Sequence, residues 1–188
     1  DFKRGQYFTL SYCYFEYGHK TNLIGSSDAS LQFNITFHHN IWKNCASRVP
    51  LLRNANFHFY NNYVFGDMTD SKASLSYIAS CRANSYRFSE HNYLDGCKNV
   101  CETTSGGVSK SYGEAVSNKC QFQARNIDFS KFDTDATLFY YDASKKQTKA
   151  YITDAVTARK ECLMYSGVMK QKKVTNTSMN VNNVNGAI

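Results

Sequence analysis

Three basic residues have the types and the spacing to bind a polyanion. Arg48 and Arg53 lie on either side of Pro50, which is the only proline in the chain, and Lys20 precedes them. An arginine can hold an anionic group through two parallel hydrogen bonds. Three neighbouring cations repel one another unless an anion lies between them. The pattern favours an anion site; the alternative is three surface cations that lie over apolar neighbours.

A repeat indicates which elements position these residues. Asn40, Asn62 and Asn92 are each followed by an aromatic residue within two places, and Cys13 occupies the same place in an earlier copy. The copies begin with short alternating runs of β-type residues, such as 35–37 and 57–59. Repeats of this length built on strands are typical of stacked coils. We therefore predict a parallel β-helix with an internal asparagine ladder; a β-sandwich with coincidental matches is the alternative.

Coil stacking would bring the cations together. Lys20 follows Cys13 at almost the same interval at which Arg48 follows Asn40. Equivalent positions of successive coils are separated by about 4.8 Å, the distance between neighbouring strands. We therefore expect Lys20 and Arg48 to be neighbours, with Arg53 beyond the Pro50 turn.

The charge distribution argues against a nucleic-acid partner. The net charge is +7, but residues 145–188 carry eight Lys or Arg against Asp154 and Glu161, so +6 lies in this tail. A nucleic-acid protein concentrates basic residues on its folded recognition surface. An acidic polysaccharide fits as a polyanion partner. The sequence has no apolar run of about 20 residues, so we predict no membrane span.

The chain contains seven cysteines, and four of them surround the end of the repeat. Cys81, Cys97, Cys101 and Cys120 could form disulfides, which would indicate an exported protein. A metal cluster is the alternative, although the chain has no Cys-x-x-Cys pair.

The chain divides into three parts within one expected domain, 1–188. Residues 1–95 are predicted to form β-helix coils, and residues 96–170 the coil end, an extended strap and a helix over 150–166. That helix is expected to be amphipathic, with a pattern formed by Ile152, Ala155, Val156, Arg159, Leu163 and Tyr165. Residues 171–188 form a polar tail.

Four segments in order, 19–28, 35–40, 48–53 and 57–63, resemble the pectate lyase family of polysaccharide lyases, which includes the pectate-lyase-like pollen allergens. The resemblance is strong over residues 1–65 and general in the tail. It implies a right-handed parallel β-helix and Ca²⁺-dependent β-elimination of polygalacturonate by a secreted, extracellular enzyme.

The resemblance also implies roles for individual residues. Arg48 matches the catalytic base, Lys20 and Arg53 match residues that bind substrate carboxylates, and Asp1 matches a Ca²⁺ ligand. Leu51 departs from the family pattern, which often has a basic residue at this position. The family's other calcium aspartates lie upstream of the matching region, so we expect an amino-terminal segment or a partner chain to supply them.

Two alternatives to the calcium-dependent pectate lyase stay open. A β-helix that binds acidic polysaccharide without catalysis would need no complete calcium site. A pectin lyase would act on methyl-esterified substrate without calcium, although a lysine that binds charged carboxylates argues against it. An arginine base acts in its neutral form, so a lyase activity should rise towards alkaline pH.

Overall fold

The computed structural model describes residues 1–4, 7–29, 33–117, 119–120, 141–142, 147–148 and 152–167. Fourteen of its strands form three parallel sheets; each of the first four coils adds one strand to each sheet in turn, and the next coil adds one strand to two of them. The fold is a right-handed parallel β-helix of about four turns with a short carboxyl-terminal helix, as the sequence predicts. No helix in the described part of the chain is long and apolar enough to cross a membrane.

The first sheet is formed by the longest strands, and the other two sheets complete each coil. The first sheet contains β1 (Phe8–Ser11), β4 (Phe33–His38), β7 (Ala55–Tyr60), β10 (Tyr86–Glu90) and β13 (Val108–Tyr112). The second sheet contains β2 (Tyr14–Glu16), β5 (Ile41–Lys43), β8 (Tyr63–Phe65), β11 (Tyr93–Asp95) and β14 (Ala115–Val116). The third sheet contains β3 (Leu23–Ile24), β6 (Leu51–Arg53), β9 (Tyr77–Arg82) and β12 (Asn99–Thr103). A separate antiparallel pair joins β15 (Tyr141–Asp142) to β16 (Gln147–Thr148).

The core fills the space between the three sheets because alternate side chains of each strand point inwards. In β4 the residues Phe33, Ile35 and Phe37 are buried, and the residues between them are half-buried. Phe15 stacks on Trp42 with ring centroids 5.3 Å apart. Burying one such side chain stabilises the fold by about 1.5–3 kcal/mol.

The asparagine ladder lies at the turn between the first and second sheets. The backbone N–H of Cys13 donates to Asn40 Oδ1 at 2.9 Å, that of Asn40 to Asn62 Oδ1 at 3.0 Å, and that of Asn62 to Asn92 Oδ1 at 2.8 Å. All three asparagines are fully buried. Each therefore satisfies a buried backbone donor of the preceding coil, which would otherwise be costly.

The ladder ends in a carboxylate that the asparagine pattern does not predict. The backbone N–H of Asn92 donates to Glu114 Oε2 at 2.7 Å, so Glu114 takes the place of a further asparagine. Burial raises the pKa of Glu114, and the nearby Arg87 guanidinium partly offsets this effect. Arg87 is itself buried, and it donates to the hydroxyls of Ser109 and Ser89 at 3.0 and 2.7 Å.

The carboxyl-terminal helix α1 (Ala155–Tyr165) covers part of the second sheet and confirms the predicted helix, with a buried face that shares only Ala155 with the predicted pattern. Asp154 caps its start and accepts from the backbone N–H groups of Val156 and Thr157 at 3.0 Å each. The buried residues are Ala155, Ala158 and Cys162, whereas Val156 and Leu163 are 51% and 40% exposed. Small residues occupy this face because they let the helix approach the sheet closely. Most of the predicted strap and the whole 171–188 tail lie outside the described residues.

Candidate functional site

Lys20 and Arg48 lie on neighbouring coils, just before the third sheet. The register pairs Leu23 with Leu51 and Ile24 with Leu52, and the same interval along the sequence separates Lys20 from Arg48. Lys20 is exposed, and Arg48 is half-buried. The N–H of Asn22 donates to the carbonyl of Arg48, so the backbones of the two cations lie on adjacent coils.

The backbone at Arg48 is held in a left-handed conformation with φ of +61°. An arginine adopts such a φ at a cost of about 1–3 kcal/mol, so the surroundings must fix it. The N–H of Asn22 donates to the carbonyl of Arg48 at 2.8 Å, and the N–H of Val49 donates to the carbonyl of Ile78 at 2.7 Å. Hydrogen bonds to the coils on both sides thus define where the Arg48 side chain begins.

Arg53 ends β6 and holds the loop that follows β3. Its Nε donates to Asp28 Oδ1 at 2.9 Å, and its Nη1 donates to the carbonyl of Gly25 at 3.4 Å. The side chain of Arg53 is 19% exposed, whereas that of Asp28 is 71% exposed. Gly25 has φ of +78°, and a Cβ there would lie 2.7 Å from the carbonyl oxygen of Arg53. Glycine is therefore required for the close approach that brings the loop onto Arg53.

A fourth cation, Arg82, extends the row, although the sequence pattern did not predict it. The register of β6 and β9 pairs Arg53 with Arg82, and Arg82 Nε donates to Ser80 Oγ at 3.1 Å. The signal in the sequence was a second arginine one coil after Arg53. The repeat did not predict the position of Arg82, because the coils differ in length. The interval from Arg53 to Arg82 is not the same as the interval from Leu23 to Leu51, which are paired on the coils before it.

Asp1 lies on the coil before Lys20, at the third sheet. Phe2 forms a bridge with Ile24, its N–H donates to the carbonyl of Leu23 at 2.7 Å, and its carbonyl accepts from Gly25 at 2.9 Å. Asp1 is exposed. The structure thus places the proposed metal ligand next to the coil that carries Lys20.

The described residues do not form a complete calcium site. Ca²⁺ takes about 6–8 oxygen ligands, usually with several carboxylates. Within the described ranges, no three His, Cys, Asp or Glu side chains are grouped as a metal site. Asp28 is paired with Arg53. The local excess of positive charge instead suits a polymer of carboxylates.

The fold and the row of cations define a parallel β-helix with a basic face on its third sheet, and the comparisons identify the family. The model of the family described as "Pectate lyase" matches residues 1–183. The chain therefore belongs to the pectate lyase family.

Curated relatives agree with this assignment. A pectate lyase of Bacillus subtilis (strain 168) is 34% identical over 93 residues, which cover 47% of this chain and 22% of the relative. Pectate lyase D of Dickeya chrysanthemi is 30% identical over 154 residues, which cover 74% of this chain and 38% of the relative. The chain thus spans well under half the length of these relatives.

Solved structures show the same fold. A pectate lyase bound to a hexasaccharide superposes with a TM-score of 0.62 at 23% identity, covering 87% of this chain and 41% of that one. A pectate lyase from Bacillus sp. N165 in complex with trigalacturonate superposes with a TM-score of 0.60 at 22% identity, covering 89% and 51%.

Proposed function

We propose that this chain carries the catalytic and substrate-binding coils of a pectate lyase, which cleaves polygalacturonate by calcium-dependent β-elimination with Arg48 as the base. The observation that carries the proposal is the placement of Lys20 and Arg48 on adjacent, hydrogen-bonded coils in a chain of this family. A secreted, extracellular location is part of the proposal because the substrate is an extracellular polymer.

The reaction requires removal of the C5 proton of a galacturonate unit. This proton is weakly acidic because it is α to a carboxylate, and its removal builds negative charge on that carboxylate. The electron pair then forms a double bond between C4 and C5, and the bond from C4 to the glycosidic oxygen breaks. In its neutral form, Arg48 would accept the proton.

Lys20 and Arg53 would hold the carboxylates of the polymer. Lys20 is exposed and one coil away from Arg48, so it suits the carboxylate on which charge develops. Arg53 already binds a carboxylate, that of Asp28, with its Nε. A substrate carboxylate would replace Asp28 there, and Arg82 on the next coil would extend the contact along the polymer.

Calcium enters the proposal only through Asp1. One exposed carboxylate does not hold Ca²⁺ by itself, so substrate carboxylates and residues beyond the described part of the chain would have to supply the other ligands. When bound, the ion would add positive charge at the substrate carboxylates. The steps assigned to Lys20, Arg48 and Arg53 do not depend on its position.

A second candidate is a β-helix that binds acidic polysaccharide without cleaving it. The lack of a metal-like carboxylate group in the described residues favours this candidate. Its binding site would be the same row of cations, so only a measurement of product separates the two functions.

The test is formation of an ultraviolet-absorbing unsaturated product. The chain is incubated with polygalacturonate in calcium, with polygalacturonate in a chelator, and with fully methyl-esterified pectin in a chelator. We expect product in the first mixture alone. Product from the esterified polymer in the chelator would indicate a pectin lyase, and binding to polygalacturonate without product in any mixture would indicate the non-catalytic module.

A further inference from the structure

Four cysteines form two close pairs in the last coils, and neither pair belongs to the proposed site. The sulfur atoms of Cys97 and Cys120 lie 3.2 Å apart, and those of Cys81 and Cys101 lie 3.7 Å apart. All seven cysteines are thiols in the structure. The distances between sulfur atoms alone would predict two similar disulfides.

The registers of the two pairs differ. Cys97 lies directly opposite Cys120 in a parallel bridge, so their Cα atoms are about one strand spacing, 4.8 Å, apart. Cys81 instead lies opposite Thr103, and Cys101 lies opposite Ala79. Cys81 and Cys101 are therefore offset by two residues along neighbouring strands, which adds about 6.6 Å along the strand and separates their Cα atoms by about 8 Å.

The geometry of a disulfide is compatible with the positions of Cys97 and Cys120 but not with those of Cys81 and Cys101. Bridged cysteines have Cα atoms about 4.4–6.8 Å apart, and a pair beyond about 7 Å cannot close without backbone movement. β9 and β12 cannot easily slide, because β9 is also paired with β6 on its other side. We propose that Cys97 and Cys120 form a disulfide that fastens the last described coil, whereas Cys81 and Cys101 stay as thiols.

The surroundings of Cys120 suit thiol–disulfide exchange. The hydrogen bond from the Cys97 thiol lowers the pKa of Cys120 to about 7, although burial opposes this effect. Cys120 is 8% exposed and Cys97 is fully buried, so Cys120 is the more accessible sulfur. Its thiolate is therefore the group that attacks a small disulfide first.

The exchange balances in two steps with a small disulfide, such as oxidised glutathione, as the oxidant. The Cys120 thiolate attacks one sulfur of oxidised glutathione, forms a mixed disulfide and releases one glutathione thiolate. Cys97 then loses its proton and attacks the Cys120 sulfur, which releases the second glutathione. Two protein thiols are oxidised to one disulfide, and one glutathione disulfide is reduced to two thiols.

The pKa of the thiols does not distinguish the pair that forms a disulfide from the pair that stays reduced. The hydrogen bond between the Cys81 and Cys101 sulfur atoms lowers the pKa of Cys101 to about 6; burial opposes this effect and the nearby Arg87 adds to it. Cys101 would thus be as reactive as Cys120 if acidity decided the outcome. For Cys81 and Cys101, the strand register therefore predicts that no disulfide forms, whereas the low pKa of Cys101 predicts that one does.

The test is disulfide mapping of the full chain. The reduced protein is incubated folded with oxidised glutathione at about pH 8, quenched in acid, denatured, alkylated without reduction and analysed by mass spectrometry. We expect a loss of about 2 Da before alkylation. We also expect alkylation of five of the seven cysteines and a cross-linked peptide that contains Cys97 and Cys120.

Two variants test whether the disulfide joins the pair of cysteines that the strand register predicts. Cys120→Ala should abolish the cross-linked species, and Cys81→Ala, a buried cysteine of the other pair, should leave it unchanged. Reduction of the disulfide should lower Tm by roughly 5–10 °C. Alkylation of both Cys97 and Cys120 in the oxidised native chain would overturn the proposal, and so would a disulfide between Cys81 and Cys101.

Discussion

The backbone carbonyl of Arg48 accepts a hydrogen bond from the N–H of Asn22 at 2.8 Å, which joins the coil of Arg48 to the coil of Lys20. The same two coils are also paired through Leu23 and Leu51. The relative position of the two cations is thus fixed by strand pairing and not by contacts between the side chains. The geometry of the candidate site therefore depends on how the coils of the β-helix are paired.

The asparagine ladder should be a main source of stability. Asn62→Ala removes the acceptor for the backbone N–H of Asn40 and the donor to the carbonyl of Phe37. Leaving such buried groups unpaired should lower the free energy of unfolding by about 2–4 kcal/mol. Urea denaturation of the purified variant measures the loss.

Asn34→Ala is the matched control for the ladder. Asn34 is half-buried, and its Oδ1 accepts from Asn56 Nδ2 at 3.0 Å on the outside of the first sheet. We expect a loss below about 1 kcal/mol for this variant. Equal losses for the two variants would show that the ladder has no special contribution.

Arg53 should govern substrate affinity. Arg53→Lys keeps the charge but loses the planar guanidinium, which can bind a carboxylate through two hydrogen bonds. We expect KM for polygalacturonate to rise about tenfold with kcat nearly unchanged, because each hydrogen bond to a charged group contributes about 1.5–3 kcal/mol. Steady-state kinetics of product formation checks this split.

Asp28→Asn tests whether the substrate competes with Asp28 for Arg53. Asp28 is 71% exposed, so loss of this surface ion pair should change stability by less than about 1 kcal/mol. KM should fall or stay the same, because Arg53 then loses its charged partner among the described residues. A rise in KM as large as that of Arg53→Lys would mean that Asp28 positions Arg53 for substrate.

His38 should make the fold sensitive to acid. Burial, together with repulsion from His39 and His58, lowers the pKa of His38 to about 3. The unfolded chain takes up this proton near pH 6.5, so it binds more protons than the folded chain between about pH 6.5 and 3. Stability should therefore fall as the pH falls through this window, by at most about 1.4 kcal/mol per pH unit from this group.

The variant His38→Phe tests the contribution of His38. Phenylalanine can keep the stacking on Tyr60, whose ring centroid lies 4.9 Å from that of His38. Urea denaturation at several pH values should give a flatter dependence below pH 6.5 for this variant. His19→Gln, a change at an exposed histidine, should retain the acid slope; an unchanged slope in His38→Phe would contradict the assignment.

Strand periodicity made most of the fold predictable from the sequence. Asn40, Asn62 and Asn92 mark the same turn of successive coils, and the register of the first sheet repeats the spacing of these asparagines. Glu114 was not predicted because a carboxylate replaces the amide there. Both groups present oxygen acceptors to a backbone N–H, so they are equivalent in the structure although they differ in the sequence pattern.

The candidate site was predictable only in part, because the coils that carry its residues differ in length. Lys20 and Arg48 could be paired from the repeat, but Arg82 could not. An additional segment between β8 and β9 lengthens the coil that separates it from Arg53.

The pattern predicted for α1 was only partly right, because Ala155 is buried but Val156 and Leu163 are exposed. Hydrophobicity favoured Val156 and Leu163, whereas close packing on the second sheet selected the small side chains Ala158 and Cys162. A hydrophobic pattern indicates which side chains are apolar. The distance between a helix and a sheet depends instead on the size of the side chains that lie between them.

Substitution of Arg48 tests the central claim most directly. Arg48→Lys is compared with Lys43→Ala, which removes a cation of the second sheet that pairs with Glu16. Formation of unsaturated product from polygalacturonate in calcium is measured for both variants and for the parent chain. We predict that kcat falls at least about 100-fold for Arg48→Lys, with KM changed less than about threefold, because loss of a general base costs about 10²–10⁴ in rate. Lys43→Ala should match the parent chain, and a kcat for Arg48→Lys within about tenfold of the parent value would contradict the assignment of Arg48 as the base.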